Sequence, residues 1–87
     1  MNLKVKLWGQ LKHLTGSEFV DVEAGNVDDL VKNLAAARSE ISHFLVSGDE
    51  PNASILVFIN DTQHVWGNPG ELKESDSITI MSPIAGG

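Results

Sequence analysis

The segment NVDDLVKNLAAAR, residues 26–38, is the one long amphipathic helix that this sequence predicts, and it decides the fold. Its apolar residues recur at the i, i+3, i+4, i+7 spacing of a helix with one buried face: Val27, Leu30, Val31, Leu34 and Ala35. Asn26 is a favourable N-cap, because its side chain can accept a hydrogen bond from a free N–H of the first turn. A helix of this length can serve as the crossover between two parallel strands.

Two segments that alternate between apolar and polar residues precede the helix, at residues 1–8 and 17–23. A period of two residues indicates strands with one buried face, and the two strands are predicted to pair as a hairpin. Gly9 is predicted to end the first strand, and residues 11–16 are predicted to form a turn-like connection, in which Leu11 and Leu14 anchor the chain to the core.

Three further strands are predicted after the helix: residues 54–60, 62–66 and 77–81. Residues 47–52 are predicted to be a plain loop, and Leu72 is predicted to plug a tight turn at residues 71–76. The whole pattern predicts an α+β fold, in which a mixed four- to five-stranded sheet has one main helix packed across one face. The domain is predicted to span residues 1–82, with residues 83–87 as a tail.

The strand at residues 54–60 is apolar on both of its faces, which is typical of a strand covered on two sides. One helix covers only one face of a sheet, so Leu56 and Phe58 are predicted to face away from it. Met81 in the last strand is also predicted to point outward. Either a loop or neighbouring side chain covers this second face, or a partner protein docks on it.

The composition excludes several classes of function. The 87 residues carry a net charge of −6, which argues against a nucleic-acid-binding surface. There is no cysteine, so disulfides, thiolate nucleophiles and thiolate metal sites are excluded. No apolar run is long enough to span a membrane, and the N-terminus lacks the pattern of a signal peptide. We therefore predict a cytoplasmic protein that binds neither nucleic acid nor membranes.

No motif predicts catalysis by this chain alone. The histidines His13, His43 and His64 have no second ligand at a recognised metal spacing, and His13 and His64 are predicted to be solvated. The sequence also lacks a serine-nucleophile motif and a glycine-rich phosphate loop. We therefore expect the chain to bind no metal and no cofactor of its own.

The sequence ends at Ile84-Ala85-Gly86-Gly87, and this ending is its most distinctive chemical feature. Glycine has no Cβ, so a Gly-Gly tail is expected to be flexible and thin enough to enter a narrow channel. Pro83 favours extended backbone at the start of the tail. The α-carboxylate of Gly87 is unreactive until a partner converts it to an acyl-adenylate with ATP. Sulfur or a lysine amine can then displace the adenylate.

Several segments, in this order along the chain, resemble proteins of the MoaD/ThiS-type sulfur carrier family, and most of all the small subunit of molybdopterin synthase (MoaD). The segments are VKLWGQLKHLTG at residues 5–16, NVDDL at 26–30, VFIND at 57–61, LKESDSI at 72–78 and SPIAGG at 82–87. The resemblance covers essentially the whole chain. It implies a ubiquitin-like β-grasp, in agreement with the pattern of strands and helix.

The resemblance also implies a mechanism and its partners. A MoeB-like activating enzyme, using ATP and magnesium, would adenylate Gly87, and the product would be converted to a thiocarboxylate. The tail would then enter a MoaE-like large subunit, in a heterotetramer, and donate sulfur to make molybdopterin. Gly86 and Gly87 would be the functional residues. The residues Leu56, Phe58, Met81, Pro83, Ile84 and Ala85 would contact the partner.

Two other functions use the same activated carboxylate. A ubiquitin-like protein modifier would be joined through Gly87 to lysines of other proteins. A sulfur carrier for thiamine or transfer-RNA thiolation would hand its sulfur to a different acceptor. The sequence leaves the three alternatives open, and a purely structural interaction module would leave the Gly-Gly ending without a role.

Overall fold

A computed structural model describes residues 1–82 of the chain. It contains seven strands and three α-helices in these residues, with a single turn of 3₁₀ helix at Ser39–Ile41. In chain order the elements are β1 (Asn2–Trp8), α1 (Gln10–Thr15), β2 (Phe19–Glu23), α2 (Val27–Ala37), α3 (Ser42–Leu45), β3 (Val46–Ser47), β4 (Glu50–Pro51), β5 (Leu56–Ile59), β6 (Thr62–Gln63) and β7 (Ile78–Met81).

Five of the strands form one mixed sheet in the order β2-β1-β7-β5-β6. The neighbouring strands β1 and β7 are parallel, and all other neighbours in this sheet are antiparallel. β1 and β2 form the predicted hairpin, and β7 lies between β1 and β5. The α+β prediction of a mixed sheet of four to five strands with one main helix is therefore confirmed.

Helix α2 packs across one face of the sheet through the predicted stripe. The side chain of Asn26 accepts a hydrogen bond from the backbone N–H of Asp29 at 2.8 Å, which caps the first turn. The stripe and the inward residues of β1, β2, β5 and β7 form a continuous apolar core. Its fully buried members include Leu3, Val5, Leu7, Val27, Leu30, Val31, Leu34, Ile55, Ile78 and Ile80.

The connection after β1 differs from its prediction. Residues 10–15 form the short helix α1 rather than a turn, and Gly16 in the left-handed conformation ends it. Leu11 is fully buried, but Leu14 is 39% exposed and does not anchor the chain as predicted. Residues three apart lie only about 60° apart around a helix axis, so Leu14 is at the edge of the buried face that Leu11 occupies and stays partly open to solvent.

Two other predictions need correction. Residues 47–52 are not a plain loop, because β3 and β4 pair there as a small hairpin. The strand predicted at residues 62–66 is limited to β6, and His64, predicted to be solvated, is only 9% exposed. The His64 ring lies edge-on to Trp66 at 5.0 Å, and its backbone N–H donates to the carbonyl of Val57 at 2.7 Å.

A network of polar contacts ties the β5–β6 turn to the start of β7. Asn60 and Asp61 both have positive φ, as hairpin turns require. The Asn60 side chain donates to Asp76 at 2.8 Å and accepts from the backbone N–H of Ser77 at 2.9 Å. Asp76 also accepts from the backbone N–H of Lys73 at 2.8 Å. These contacts hold the turn that leads into β7, and Leu72 is buried within it, as predicted.

No helix within residues 1–82 is long and apolar enough to cross a bilayer. Four salt bridges occur in the same residues, and all involve side chains or termini at least 33% exposed. Exposed pairs of this kind are worth about 0–1 kcal/mol each, so burial of the apolar core is what holds the fold together.

Candidate functional site

The chain leaves the sheet from its central strand. β7 is hydrogen-bonded on one side to β1 and on the other to β5, and its inward residues Ile78 and Ile80 are buried. The last pairs of this strand join Met81 to Trp8 and to Leu56. A strand held on both sides gives whatever follows Ser82 a fixed starting point. The predicted site residues Pro83, Ile84, Ala85, Gly86 and Gly87 lie outside the described residues.

An apolar row borders this exit on the face of the sheet that lies away from α2. The row runs across three neighbouring strands through Trp8, Met81 and Leu56, which are direct neighbours in the sheet register. Trp8 is 50% exposed, and Met81 and Leu56 are half-buried. An exposed tryptophan beside two accessible apolar side chains is the composition expected of a protein-binding surface.

A second row lies two residues away from the first along each of the three strands and widens the surface. It runs through Lys6, Thr79 and Phe58, again as direct neighbours on β1, β7 and β5. Together the two rows form a shallow groove of about 370 Å³. The residues that line it are Lys6, Trp8, Phe58, Asp61, Thr79 and Met81.

The groove is open in the described part of the chain. Leu56 and Phe58 face away from α2, as predicted, and each remains half-buried rather than covered. The sequence left open whether a loop or neighbouring side chain covers this second face or a partner docks on it. Residues 1–82 cover the face only in part and leave a groove beside Phe58 and Met81. The structure brings together three of the predicted partner-binding residues, Leu56, Phe58 and Met81. We call the face that they form with Trp8 and Lys6 the open face.

Trp8 and Lys6 were not predicted as site residues. The Lys6 ammonium lies 5.6 Å from the centre of the Trp8 ring, and it pairs with Glu18 at 3.8 Å. These contacts hold the tryptophan ring and the lysine stem against each other. A signal was present in the sequence, because Trp8 continues the outward positions of β1 that begin with Asn2.

The described residues show no constellation of catalytic groups. Within residues 1–82, no group of three or more histidine, aspartate or glutamate side chains is placed to hold a metal ion. Asp76 has a perturbed pKa, which lies below its ordinary value of 3.8 because of the backbone hydrogen bond from Lys73 and the side-chain hydrogen bond from Asn60. Those hydrogen bonds hold a turn together, so the lowered pKa of Asp76 is explained by the structure of the turn and does not indicate a catalytic group.

Comparison with known families gives a match over nearly the whole chain. The model of the ThiS family matches residues 5–87, which include the Gly-Gly ending and the residues of the open face. A comparison with curated protein sequences gives no match.

Three solved structures illustrate the structural similarities. The small archaeal modifier protein 1 from Methanosarcina acetivorans superposes with a TM-score of 0.81 at 27% identity, over 99% of this chain and 96% of that one. A chain of the Amycolatopsis orientalis BexX/CysO complex gives 0.74 at 25% identity, over 98% and 99%. A putative molybdopterin converting factor subunit 1 from Pyrococcus furiosus gives 0.72 at 19% identity, over 97% and 99%. These similarities confirm the ubiquitin-like β-grasp fold.

Proposed function

Because the chain belongs to the ThiS family, we propose that it is a sulfur carrier that works through the C-terminal carboxylate of Gly87. The observation that carries this proposal is the family match, which extends through the terminal Gly86-Gly87 pair. The open face beside the exit of the chain supports it, since a carrier needs a surface on which an enzyme can dock while it works on the tail.

The proposed chemistry has two balanced steps. A partner first transfers AMP from ATP to the Gly87 carboxylate, with magnesium as the counter-ion, and pyrophosphate leaves. A hydrosulfide equivalent then attacks the acyl carbon, the acyl–phosphate bond breaks, and AMP leaves as the thiocarboxylate forms. Our assignment of the ATP site to the partner rests on the absence of a phosphate-binding loop from the sequence. This chain supplies the carboxylate, and the small residues at 85–87 let it enter the partner's active site.

The open face is proposed as the docking surface for that partner. Trp8 presents half of a large amphipathic side chain next to Met81 and Leu56. Tryptophan is among the residues most enriched in binding hot spots, where truncation typically costs about 2 kcal/mol or more. Phe58 extends the same surface along β5. Residues Pro83, Ile84 and Ala85 are proposed to guide the tail from this surface into the partner.

For the final acceptor we propose a pterin precursor in molybdopterin synthesis. The segments that resemble MoaD-type proteins, above all residues 5–16 and 82–87, support this assignment. The proposed partners are then a MoeB-like activating enzyme and a MoaE-like large subunit in a heterotetramer. The sulfur would bond to the pterin, and water would then hydrolyse the acyl–sulfur bond, which leaves the sulfur on the pterin and returns Gly87 to a carboxylate.

A second candidate function is conjugation to other proteins as a ubiquitin-like modifier. The 27% identity to a small archaeal modifier protein, over 99% of this chain, favours it. The activation step would be the same, but a lysine amine would attack the acyl carbon of the adenylate. The acyl–phosphate bond would break, AMP and a proton would leave, and an isopeptide bond would form. The two functions therefore differ in the nucleophile and not in the role of Gly87.

An exchange assay tests the activation step. The chain is incubated with the host's adenylating enzyme, ATP and labelled pyrophosphate, and label incorporated into ATP is measured. We expect exchange with the unaltered chain, and at least a 100-fold loss when Gly87 is deleted or when an alanine is appended after it. Equal melting temperatures for all three proteins serve as the folding control, and undiminished exchange by the extended chain would overturn the proposal.

A reconstitution separates the two candidate acceptors. The thiocarboxylated chain is mixed with the host's large synthase subunit and the pterin precursor, and a dithiolene product is sought by its fluorescence after oxidation. In parallel, proteins of the host are searched for lysines that carry a Gly-Gly remnant. Product without remnants supports the molybdopterin assignment, and remnants without product support the modifier.

A further inference from the structure

The outer edge of β2 is a second surface that the carrier function does not use. β2 is the outermost strand of the five-stranded sheet, and among residues 1–82 its only strand neighbour is β1. The register pairs Leu3 with Val22 and Val5 with Val20, and the N–H of Leu7 donates to the carbonyl of Glu18 at 2.8 Å. In an antiparallel pair the bonded residues alternate, so residues 18, 20, 22 and 24 bond inward to β1.

The main-chain groups of the other β2 residues therefore point away from the sheet. They are the N–H and C=O of Phe19 and Asp21 and the N–H of Glu23. Within residues 1–82 the carbonyl of Glu23 accepts from the Asn33 side chain at 2.7 Å, which closes one end of the edge. A row of unpaired donors and acceptors on a regular strand is a template for an added strand.

Two exposed side chains of β2, Asp21 and Glu23, are acidic and favour an added strand with basic side chains. Phe19, Asp21 and Glu23 alternate with the buried Val20 and Val22, and all three point to the face away from α2. Asp21 makes no salt bridge within residues 1–82, although Lys4 lies directly opposite it on β1. Glu23 pairs with the N-terminal ammonium at 3.5 Å, but its side chain is 77% exposed, and Phe19 is 49% exposed. An added strand would place alternate side chains next to these residues, and the whole chain carries a net charge of −6.

A second copy of this chain fits the edge poorly in the register centred on Asp21. Two copies of β2 paired antiparallel about Asp21 would place one Asp21 directly opposite the other and would bring the Glu23 side chains near Phe19. Like charges directly opposite each other destabilise a strand pair. A segment with lysine or arginine at alternate positions would instead meet Asp21 and Glu23 with the opposite charge.

We propose that the outer edge of β2 binds an extended, basic peptide segment by adding it to the sheet as an antiparallel strand. The basic side chains of the segment lie on the same face as Asp21, and its intervening apolar side chains lie on the side of α2. Because β1 separates β2 from β7, a segment bound there leaves the exit of the chain at Ser82 clear. The carrier could therefore hold such a segment and a docked enzyme at the same time.

Amide hydrogen exchange on the unaltered protein tests this directly. Without peptide, the amides of Phe19 and Asp21 should exchange quickly, and those of Val20 and Val22 slowly. A capped pentapeptide of alternating lysine and valine, with lysine at both ends, should slow Phe19 and Asp21 at least 10-fold at millimolar concentration. The same peptide with glutamate in place of lysine should leave both amides unchanged.

Two matched controls separate strand addition from simple attraction between charges. Methylation of the lysine backbone nitrogens, which face the edge in an antiparallel pairing, should abolish protection, whereas methylation of the valine nitrogens should preserve it. Asp21→Lys should weaken binding of the basic peptide at least 10-fold, and Asp49→Lys, the same charge change in the β3–β4 hairpin, should weaken it less than 3-fold.

Four results would contradict the addition of a basic strand at the β2 edge. No protection of Phe19 and Asp21 at saturating peptide, equal binding of the glutamate peptide, or equal loss with both methylated peptides would overturn the proposal. Protection that appears without peptide as the protein concentration rises would assign the edge to a second copy and would likewise overturn it. None of these results affects the activation of Gly87, so the two proposals fail separately.

Discussion

Gly70 occupies a position that no residue with a side chain fits. Its φ is +63°, and a Cβ built there would lie 2.8 Å from Cε1 of His64 and 2.9 Å from Cγ2 of Val27. Its carbonyl accepts from the backbone N–H of Val27 at 2.9 Å, so it joins the 67–70 loop to the start of α2. The sequence could not reveal this contact, because it depends on the burial of His64.

Gly70→Ala should therefore lower the free energy of unfolding by about 2–4 kcal/mol, the sum of left-handed backbone strain and overpacking. Gly48→Ala is the matched control, because Gly48 has a similar φ of +66° but nothing within 4 Å of the built Cβ. It should cost only about 1 kcal/mol of strain. Urea unfolding of both variants measures the difference, and equal losses would show that the contact with His64 and Val27 is unimportant.

The lowered pKa of Asp76 makes a small part of the stability depend on pH. The carboxylate is held charged by the hydrogen bonds from Lys73 and Asn60, so the unfolded chain binds a proton more readily than the folded one. Its contribution is fully present above the ordinary value of 3.8 and is lost as the pH falls through the lower folded value.

Asp76→Asn should destabilise the protein at about pH 6, and that deficit relative to the unaltered chain should shrink as the pH falls below 3.8. Denaturant unfolding at a series of pH values measures this, with Asp49→Asn in the exposed β3–β4 connection as the control. A deficit for Asp76→Asn that is independent of pH would show that the carboxylate charge has no part in the turn.

Phe58 should matter more for docking than for folding, since it is half-buried on the open face. Phe58→Asp should weaken binding to the adenylating enzyme by about 2 kcal/mol or more, roughly a 30-fold loss of affinity. Its effect on unfolding should be smaller. Val65→Asp is the control, because Val65 is 63% exposed and lies outside the groove. Calorimetric titration and thermal unfolding give the two quantities, and a failure of Phe58→Asp to fold would place Phe58 in the core.

At the scale of the elements, the long periodic segments could be predicted and the short ones could not. Helix α2 and strands β1, β2 and β7 each repeat one pattern over enough residues for the buried face to be identified. The six residues of α1 span fewer than two turns, and no side chain caps its first turn, since Gly9 occupies that position. The two-residue strands β3 and β4 are too short to show alternation at all.

The site was predicted in part for the same reason. Leu56, Phe58 and Met81 could be assigned to one outward face, because the side chains of a strand alternate. The sequence does not give the order of strands, however, and only that order places Trp8 beside Met81. The sequence alone therefore identifies Trp8 as the end of a strand and not as part of a surface.

A pair of variants tests how α1 is anchored. Leu11→Ala should lower the free energy of unfolding by about 2–5 kcal/mol, because Leu11 is fully buried. Leu14→Ala should cost less than about 1 kcal/mol, because Leu14 is 39% exposed. The same change in residue type at both positions makes this a matched comparison by chemical denaturation. Similar losses for the two variants would restore the prediction that both leucines anchor this connection.

At the scale of the whole molecule, the described core and the proposed chemistry lie in different parts of the sequence. The core that the structure describes lies within residues 1–82, and the proposed reactive carboxylate belongs to Gly87. The sheet contributes a fixed exit at β7 and an accessible docking face next to it. Changes at the C-terminus should therefore alter activation while leaving stability unchanged, and changes in the core should do the reverse.

Mass spectrometry of the protein recovered from its own host tests the central claim most directly. Intact protein and its C-terminal peptide are measured, before and after treatment with a reagent that alkylates thiocarboxylates. We expect a fraction of the chains to end in Gly87 with one oxygen replaced by sulfur, and that fraction alone to be alkylated. A terminus that is always an unmodified carboxylate, even when the adenylating enzyme is abundant, would contradict the proposal that this chain carries sulfur.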